Sequence, residues 1–455
     1  MERELKFDLP EPVDVERLGG RPLDSRLFTS VYYDTGDLRL MRHGQTLRRR
    51  LENGMNLWQL KLSCGDVRLE LQEPGGPGDP PERLAALLSG VLRGREVDPV
   101  ATLATRRSGR RVDGVDVTLD EVEVLDGHAV VQRFTEIEAE LVDGSMRALE
   151  AVARRLRDLG ARRGNGTPKV LRAIEIPGPP ETSHADAPLG PLRAYLSAQC
   201  DELLRFDPVV RAHDDADAVH DMRVAIRRLR SVLRTAKPML AEQWVDSLRH
   251  ELDWLAGLLG AVRDLDVLRE DLGREAREIE PGRAARAEAL LRHLVDEHRH
   301  ARDALLEGMR EQRYHELLDA VEAAAEAPPT RRSDLALEAL AAKEFRKLRK
   351  RGRGLAAMDD RRLHKTRIRV KRARYATELV ERSQGKDAKR LISAAKKLQD
   401  VLGEYQDAVV ARPRLVELAR LAPDADCAVL AGRLIEVQEQ RKRQARRELP
   451  KHGAA

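Results

Sequence analysis

The periodicity of this chain changes once, and that change constrains its fold more than any single motif. From Met1 to about Ile176, apolar and polar residues alternate in short runs broken by Gly, Asp and Pro, the pattern of antiparallel strands and their turns. After Leu192 the texture becomes Ala, Leu, Arg and Glu at helical spacing, almost to the C-terminus. Between them Pro177 to Pro191, PGPPETSHADAPLGP, reads as a linker. The expected fold is α+β and multidomain, with a β-rich domain over residues 1–177, a linker over 178–191 and an all-α domain over 192–455. Two domains also suit a length of 455 residues, beyond the size at which one core stops growing. With 42% hydrophobic but only 3% aromatic residues, both cores must be built from Leu, Val, Ala and Ile.

Lysine and arginine number 82 against 77 acids, a net charge of +5, so the placement of charge matters more than its sum. Cys64, Cys200 and Cys427 fit neither disulfide nor zinc spacing, which points to a reducing compartment. No apolar run approaches transmembrane length, and the chain opens on charges instead of a signal peptide. The expectation is a soluble, cytoplasmic protein with no membrane partner.

In an extended strand, side chains alternate between faces, so Glu2, Glu4 and Lys6 of the opening MERELK share one face while Arg3 and Leu5 share the other. Two such carboxylates suit a hard divalent cation such as magnesium, and the lysine suits the phosphate it carries. Further strands are expected at Ser30–Asp34, Gln45–Leu51, Leu57–Ser63, Ala101–Arg111, Val115–Leu125 and Ala129–Val142, with a short helix at Glu82–Leu92. By parity Arg48 and Arg50 share a face, and Gln59, Lys61 and Ser63 lie opposite Trp58, Leu60 and Leu62; Arg68 and Glu70 repeat the theme. In FTEIEAEL, Glu136, Glu138 and Glu140 form an acidic row opposite Ile137, Ala139 and Leu141. Acidic and basic polar faces in one small sheet suggest a closed barrel with a charged, wet interior, because small barrels otherwise fill their inside with apolar side chains. Such an interior would bind a metal and a polyanion together.

The ExExK of Glu2, Glu4 and Lys6, YYDT at Tyr32–Thr35, LRRR at Leu47–Arg50 and EIEAEL at Glu136–Leu141 together resemble a CYTH domain of the triphosphate tunnel metalloenzymes, over residues 1–177. The resemblance implies an eight-stranded antiparallel β tunnel that hydrolyses triphosphates with magnesium or manganese. It implies metal ligation by Glu2, Glu4, Glu138 and Glu140, with Glu136 on the same wall. Phosphates would be held by Lys6, Arg48, Arg50, Lys61 and Arg107, with Asp120 and Lys169 as further lining. Parity leaves Arg106 and Arg107 as alternatives, and TPKV at Thr167–Val170 departs from the family's SKY-like ending. Hydrolysing a phosphoanhydride requires charge neutralisation and an aimed water, not a Ser, Cys or His nucleophile. The histidines of this half, His43 and His128, sit beside turns and read as exposed.

The second half contains a repeat: HDMRVAIRRLR at His220–Arg230 returns 144 residues later as HKTRIRVKRAR at His364–Arg374. Steps of 3 and 4 place His220, Arg223, Arg227 and Arg230 on one helical stripe, and His364, Arg367, Lys371 and Arg374 on another. Apolar stripes run beside them, Met222, Ile226, Leu229 and Leu233 in the first helix and Ile368, Tyr375 and Leu379 in the second. Leu259-Gly260 with Arg263-Asp264 is echoed by Leu402-Gly403 with Gln406-Asp407, the aspartates being placed to orient neighbouring arginines. Lys343 to Arg353 adds another basic helix. Like charges at these spacings destabilise a helix, so an anion should offset them.

HDMRVAIRRLRS, GAVRDLDV and HKTRIRVKRARY resemble a CHAD domain, over residues 190–450. The resemblance implies two helical bundles with pseudo-twofold symmetry that bind inorganic polyphosphate along a basic surface, here through the two His-led stripes. Polyphosphate requires no aromatic stacking. Sequence-specific binding of single-stranded nucleic acid usually adds aromatic platforms, which this half lacks. The leading expectation is a metal-dependent inorganic triphosphatase with a polyphosphate-binding module that could dock on polyphosphate granules. Its rivals are thiamine triphosphatase or adenylate cyclase activity, a non-enzymatic polyphosphate adaptor, and backbone-only binding of duplex nucleic acid.

Overall fold

The computed structural model describes residues 4–8, 14–64, 67–164, 168–174, 189–331, 333, 335–351 and 354–452. Glu2, Thr167 and most of the expected linker lie outside the described residues, as does the side chain of Arg68. The chain divides into two compact units, one of Met1–Glu181 with Leu204–Asp214 and one of Thr182–Leu203 with Asp215–Ala455.

The first unit comprises β1 (Glu4–Asp8), β2 (Arg21–Asp34), α1 (Arg39–Arg42), β3 (Gln45–Glu52), β4 (Met55–Cys64), β5 (Val67–Pro74), α2 (Glu82–Leu87), α3 (Ser89–Leu92), β6 (Asp98–Val112), β7 (Val115–Asp126), β8 (Ala129–Leu141), α4 (Met146–Asp158), β9 (Arg162–Arg163) and α5 (Val170–Ala173). The strands form one sheet in the order β5-β4-β3-β2-β6-β7-β8-β1-β9, and every pairing is antiparallel. Among the described residues there are nine strands rather than eight, because the two-residue β9 adds to the edge of β1. Among the described residues no ladder joins β5 to β9. The sheet nevertheless curves enough for β1, β3, β4 and β6 to line a common cavity.

Asn53-Gly54 and Asp113-Gly114 make the tight turns of the β3–β4 and β6–β7 hairpins. Both residues of each pair have positive φ, 50° and 76° in one and 53° and 79° in the other, as a turn matched to strand twist requires. Strand β2 starts nine residues before its expected Ser30 because β6 pairs with it back to Arg21, across a register shift between Leu23 and Arg26. The helix expected at Glu82–Leu92 is two short helices, with Leu88 at φ −90° and ψ 0° between them.

Parity decides the two faces of the sheet. Trp58, Leu60 and Leu62 of β4 are fully buried. On the outer side of β7 and β8, Val115, Val117, Ile137 and Ala139 pack with Leu149, Val152 and Leu156 of α4. Ser145 caps that helix by accepting from the Ala148 N–H. Part of the YYDT run is structural too: the buried Asp34 carboxylate accepts the N–H groups of Thr35, Leu40 and Met41 and so fixes the start of α1.

The helical part comprises α6 (Gly190–Ala212), α7 (Ala216–Ala236), α8 (Glu242–Ile279), α9 (Ala284–Gly308), α10 (Gln312–Glu326), α11 (Leu337–Arg351), α12 (Asp360–Leu379), α13 (Glu381–Arg420) and α14 (Ala425–His452). Helix α6 already begins at Gly190 and absorbs the last residues of the expected linker, since proline is tolerated in a first helical turn. Leu204–Asp214, which begins within α6 and runs past its end, belongs with the first unit, where the Leu204 carbonyl accepts from the buried Gln45 side chain.

The two halves of the repeat are α7–α8 and α12–α13. Met222, Ile226, Leu229 and Leu233 are buried as the stripe predicts, and so are Tyr375 and Leu379. Ile368 is a correction: it is 45% exposed, and Val370 and Ala373 fill the α12 core instead. At about 100° per residue, Ile368 lies roughly 160° from Val370 and outside the buried arc.

Candidate active site and basic seam

The concave face of the sheet encloses a cavity of about 810 Å³ lined by Glu4, Lys6, Arg48, Arg50, Lys61, Arg107, Glu138, Glu140 and Lys169, among others. Strand β1 lies directly against β8, with Glu4 opposite Glu140, Lys6 opposite Glu138 and Asp8 opposite Glu136. This register brings Glu4 and Lys6 onto one wall with Glu138 and Glu140.

At the floor, three cations interlock with three carboxylates. Lys6 Nζ lies 3.2 Å from Glu136 and 2.8 Å from Glu138. Lys169, at the start of α5, reaches Asp120 at 2.8 Å, Glu136 at 3.2 Å and Glu138 at 2.7 Å. Arg107 grips Asp120 through Nε and Nη2 at 2.7 and 2.6 Å, and its Nη2 also donates to Glu138 at 2.7 Å. Asp120 and Glu136 are almost fully buried behind these cations, so they hold the cationic groups in place. Burial opposes ionisation of Glu138, but Lys169, Lys6 and Arg107 together hold its carboxyl well below the usual range. Burial likewise opposes the charge of Lys169, and Glu138, Asp120 and Glu136 overcome it and raise its pKa.

Register settles the Arg106–Arg107 pair. Arg107 pairs with Asp120 across β6 and β7 and faces the cavity, whereas Arg106 lies opposite Glu121 with its side chain 70% exposed. Lys169 also faces the cavity despite its departure from the family ending.

The other side of the cavity is basic. Arg48 donates to the Gln59 side chain at 2.8 Å and to the Tyr32 hydroxyl at 3.1 Å. Arg50 stacks on Phe28, 3.5 Å from the ring centre, and pairs with Glu52 at 2.7 Å. Burial lowers the Arg50 pKa to about 10 against the pull of Glu52, with Arg48, Arg26 and Arg107 pushing the same way. Lys61 pairs with Glu70 at 2.5 Å. Sequence reasoning did not single out Phe28, Tyr32, Gln59 or Glu70 as partners, although parity puts Phe28 and Tyr32 on one face.

The donor set fits a divalent cation. Glu4 and Glu140 face the cavity and oppose each other in register, two carboxylates on one wall. Among the described residues no group of three or more His, Cys, Asp or Glu side chains forms a metal cage. Magnesium suits that geometry, because it is commonly held by one or two carboxylates together with substrate phosphates and water. Glu138 is engaged by Lys6, Lys169 and Arg107.

His43 differs from expectation. It is buried, and burial first, then Arg39, Arg93, Arg205 and Arg42, lower its pKa to about 4, so it is neutral near pH 7. His128 is exposed as expected.

In the second unit, α7 and α12 bring the inner members of the two basic stripes together. Burial, and after it Arg227, Arg367 and Arg223, lower the Lys371 pKa to about 7 against the pull of Asp407. Arg367 is lowered by burial and by Arg227 and Arg223, again against Asp407. Arg223 donates to Asp264 at 2.7 Å and Arg227 to the Tyr375 hydroxyl at 2.6 Å. Gly260 and Gly403 lie beneath the guanidinium groups of Arg223 and Arg367, each within 4 Å of where a Cβ would sit. The outer members are separately balanced, Arg230 by Asp253 and Arg374 by Glu378. His220 and His364 lie exposed at the ends of the stripes, His364 Nδ1 being 3.1 Å from the Gln406 side-chain oxygen. Among the described residues no helix is long and apolar enough to cross a membrane.

Comparison with known proteins agrees with this division. The family model of the CYTH domain matches residues 1–171 and that of the CHAD domain residues 194–416. Two uncharacterized proteins from two Mycobacterium tuberculosis strains are each 31% identical over 476 residues, covering 93% of this chain and 90% of theirs. Among solved structures, PptA from Streptomyces chartreusis superposes with a TM-score of 0.50 at 26% identity, covering 58% of this chain and 98% of its own. A CHAD domain from the plant Ricinus communis gives a TM-score of 0.46 at 26% identity, with 58% and 91% covered. The chain belongs to the family of proteins that join a CYTH domain to a CHAD domain.

Proposed function

We propose that the first unit hydrolyses inorganic triphosphate or short polyphosphate with magnesium or manganese, and that the second binds polyphosphate at the α7–α12 seam. The observation that carries this reading is the cavity in which Lys6, Arg48, Arg50, Lys61, Arg107 and Lys169 face carboxylates Glu4, Glu138 and Glu140. A triphosphate brings four to five negative charges without requiring a base or sugar pocket, which suits a cavity whose recognition groups are mainly cations. Arg48 and Arg50 would bind its phosphate oxygens, Arg50 held flat by Phe28. Lys6, Arg107 and Lys169, fixed from behind by Asp120 and Glu136, would neutralise charge on the transferring group without reorganising. Glu4 and Glu140, with Glu2 by its place in the opening motif, would hold the cation. Bound there, the cation would supply further charge neutralisation and a template for in-line attack by water.

Phosphate release from triphosphate, ATP and thiamine triphosphate, assayed in parallel with magnesium and manganese, tests the reading. Turnover of triphosphate above the other two is expected. Preference for ATP or thiamine triphosphate would favour cyclase or thiamine triphosphatase chemistry, and polyphosphate binding without any turnover would leave only an adaptor.

A further inference from the structure

The pseudo-twofold repeat is broken by charge where Arg228 and Arg372 lie. Its spacing of 144 residues makes Arg228 the counterpart of Arg372, Glu378 the counterpart of Arg234, and Asp221 the counterpart of Lys365. On one side of the α7–α12 pair, Arg228 is balanced: it lies 3.5 Å from Glu378, whose carboxylate also accepts from the Tyr195 hydroxyl at 3.1 Å. On the other side two acids have become two bases. The repeat sets Arg372 against Arg234 of α7 where Arg228 meets Glu378, Arg369 lies one turn before it on α12, and Arg249 of α8 and Glu344 of α11 are close enough to act on its charge. That acid is already engaged by Lys347 at 2.5 Å. Among the described residues no ion pair within 4 Å engages Arg234, Arg249, Arg369 or Arg372. Arg249 Nε is in addition buried without a hydrogen-bond partner.

We infer that Arg234, Arg249, Arg369 and Arg372 form a second phosphate-binding subsite for the polyphosphate chain that the seam binds, an inference resting on the polyphosphate reading of the second unit. Arg234 continues the stripe of Arg223, Arg227 and Arg230 on one face of α7. It lies three turns, about 16 Å along the axis, beyond Arg223. A long anion can therefore run from the seam along that face and end among the four arginines, whereas a short one fills only the seam. Four guanidinium groups left together, three of them half-buried and Arg234 exposed, repel, and a phosphate chain is a ligand that removes the repulsion. Burial, then Arg234, hold Arg372 below its usual range, as crowding requires.

The test restores the missing symmetry in the full-length protein. Arg234→Glu places a carboxylate where Glu378 stands in the other half. It is expected to raise the melting temperature without ligand and to weaken binding of long-chain inorganic polyphosphate. The slope of log affinity against log salt should fall by about 2, one for the arginine lost and one for Arg372 engaged by the new acid. Arg372→Gln adds no charge and should lower the slope by about 1, so it decides the matter if Arg234→Glu fails to fold. Unchanged long-chain affinity and slope in Arg372→Gln would overturn the subsite while leaving the seam intact. Absence of long-chain binding by the wild-type protein would instead overturn the polyphosphate reading itself.

Discussion

The cavity floor and the α7–α12 seam both gather cations from more than one element, but their charges are balanced differently. At the cavity floor, Lys6, Arg107 and Lys169 meet Asp120, Glu136 and Glu138 within 3.2 Å. At the seam, Arg223, Arg227, Arg367 and Lys371 crowd together with Asp264 and Asp407 as the opposing acids. A balanced buried network is rigid before substrate arrives, which is what transition-state stabilisation asks of a site. An under-neutralised cluster stores repulsion that a bound polyanion relieves, which suits a ligand of variable length with no fixed geometry.

The largest expected effect breaks the balanced side. Lys169→Met leaves the buried Asp120 and Glu138 short of a cation, and should destabilise the first unit by about 3–5 kcal/mol as well as abolish phosphate release. Urea unfolding measures it, and an unchanged midpoint would show that the network is not what holds the floor. The pH dependence has a definite sign. The folded pKa of Glu138 is depressed, so its contribution is complete above the unfolded carboxylate value of about 4.3 and is lost as pH falls through the folded value.

The second effect should separate the two sites. Arg223→Glu with Arg367→Glu is expected to weaken polyphosphate binding by about 100-fold or more, since it sets like charges against the anion. Triphosphate hydrolysis should stay close to wild type; equal loss of both would contradict separate sites.

The smallest effect probes the crowding itself. Lys371 faces Arg223 and Arg227 from α7, Arg367 from α12 and Asp407 from α13, with its pKa lowered to about 7. An anion favours the protonated amine, so polyphosphate affinity should fall as pH rises from 7 toward 9, by at most about tenfold per unit, and level off below about 6. Arg does not titrate in this range, so Lys371→Arg should flatten the profile. A slope that persists in that variant would assign the titration elsewhere.

Local pattern carried much of this molecule. Alternation alone placed Glu4 with Lys6, Arg48 with Arg50, and Lys61 opposite Trp58, Leu60 and Leu62, because side-chain direction in a strand depends only on its neighbours. Helical spacing likewise aligned Arg223, Arg227, Arg367 and Lys371 on their stripes. What periodicity could not supply was which groups meet. Choosing Arg107 over Arg106 required the β6–β7 register that sets Arg107 against Asp120. Bringing Lys169 to Glu138 required α5 to reach β8 across 31 residues of sequence. The burial of His43 and the exposure of Ile368 followed from what packs beside them. The same holds for the broken symmetry at Arg372: both halves of the repeat are written in the chain, but only the packing of α7, α8, α11 and α12 shows that one arginine met an acid and its counterpart met other arginines. Direction is a local property of the backbone, whereas charge balance belongs to the groups that folding brings together from distant parts of the sequence.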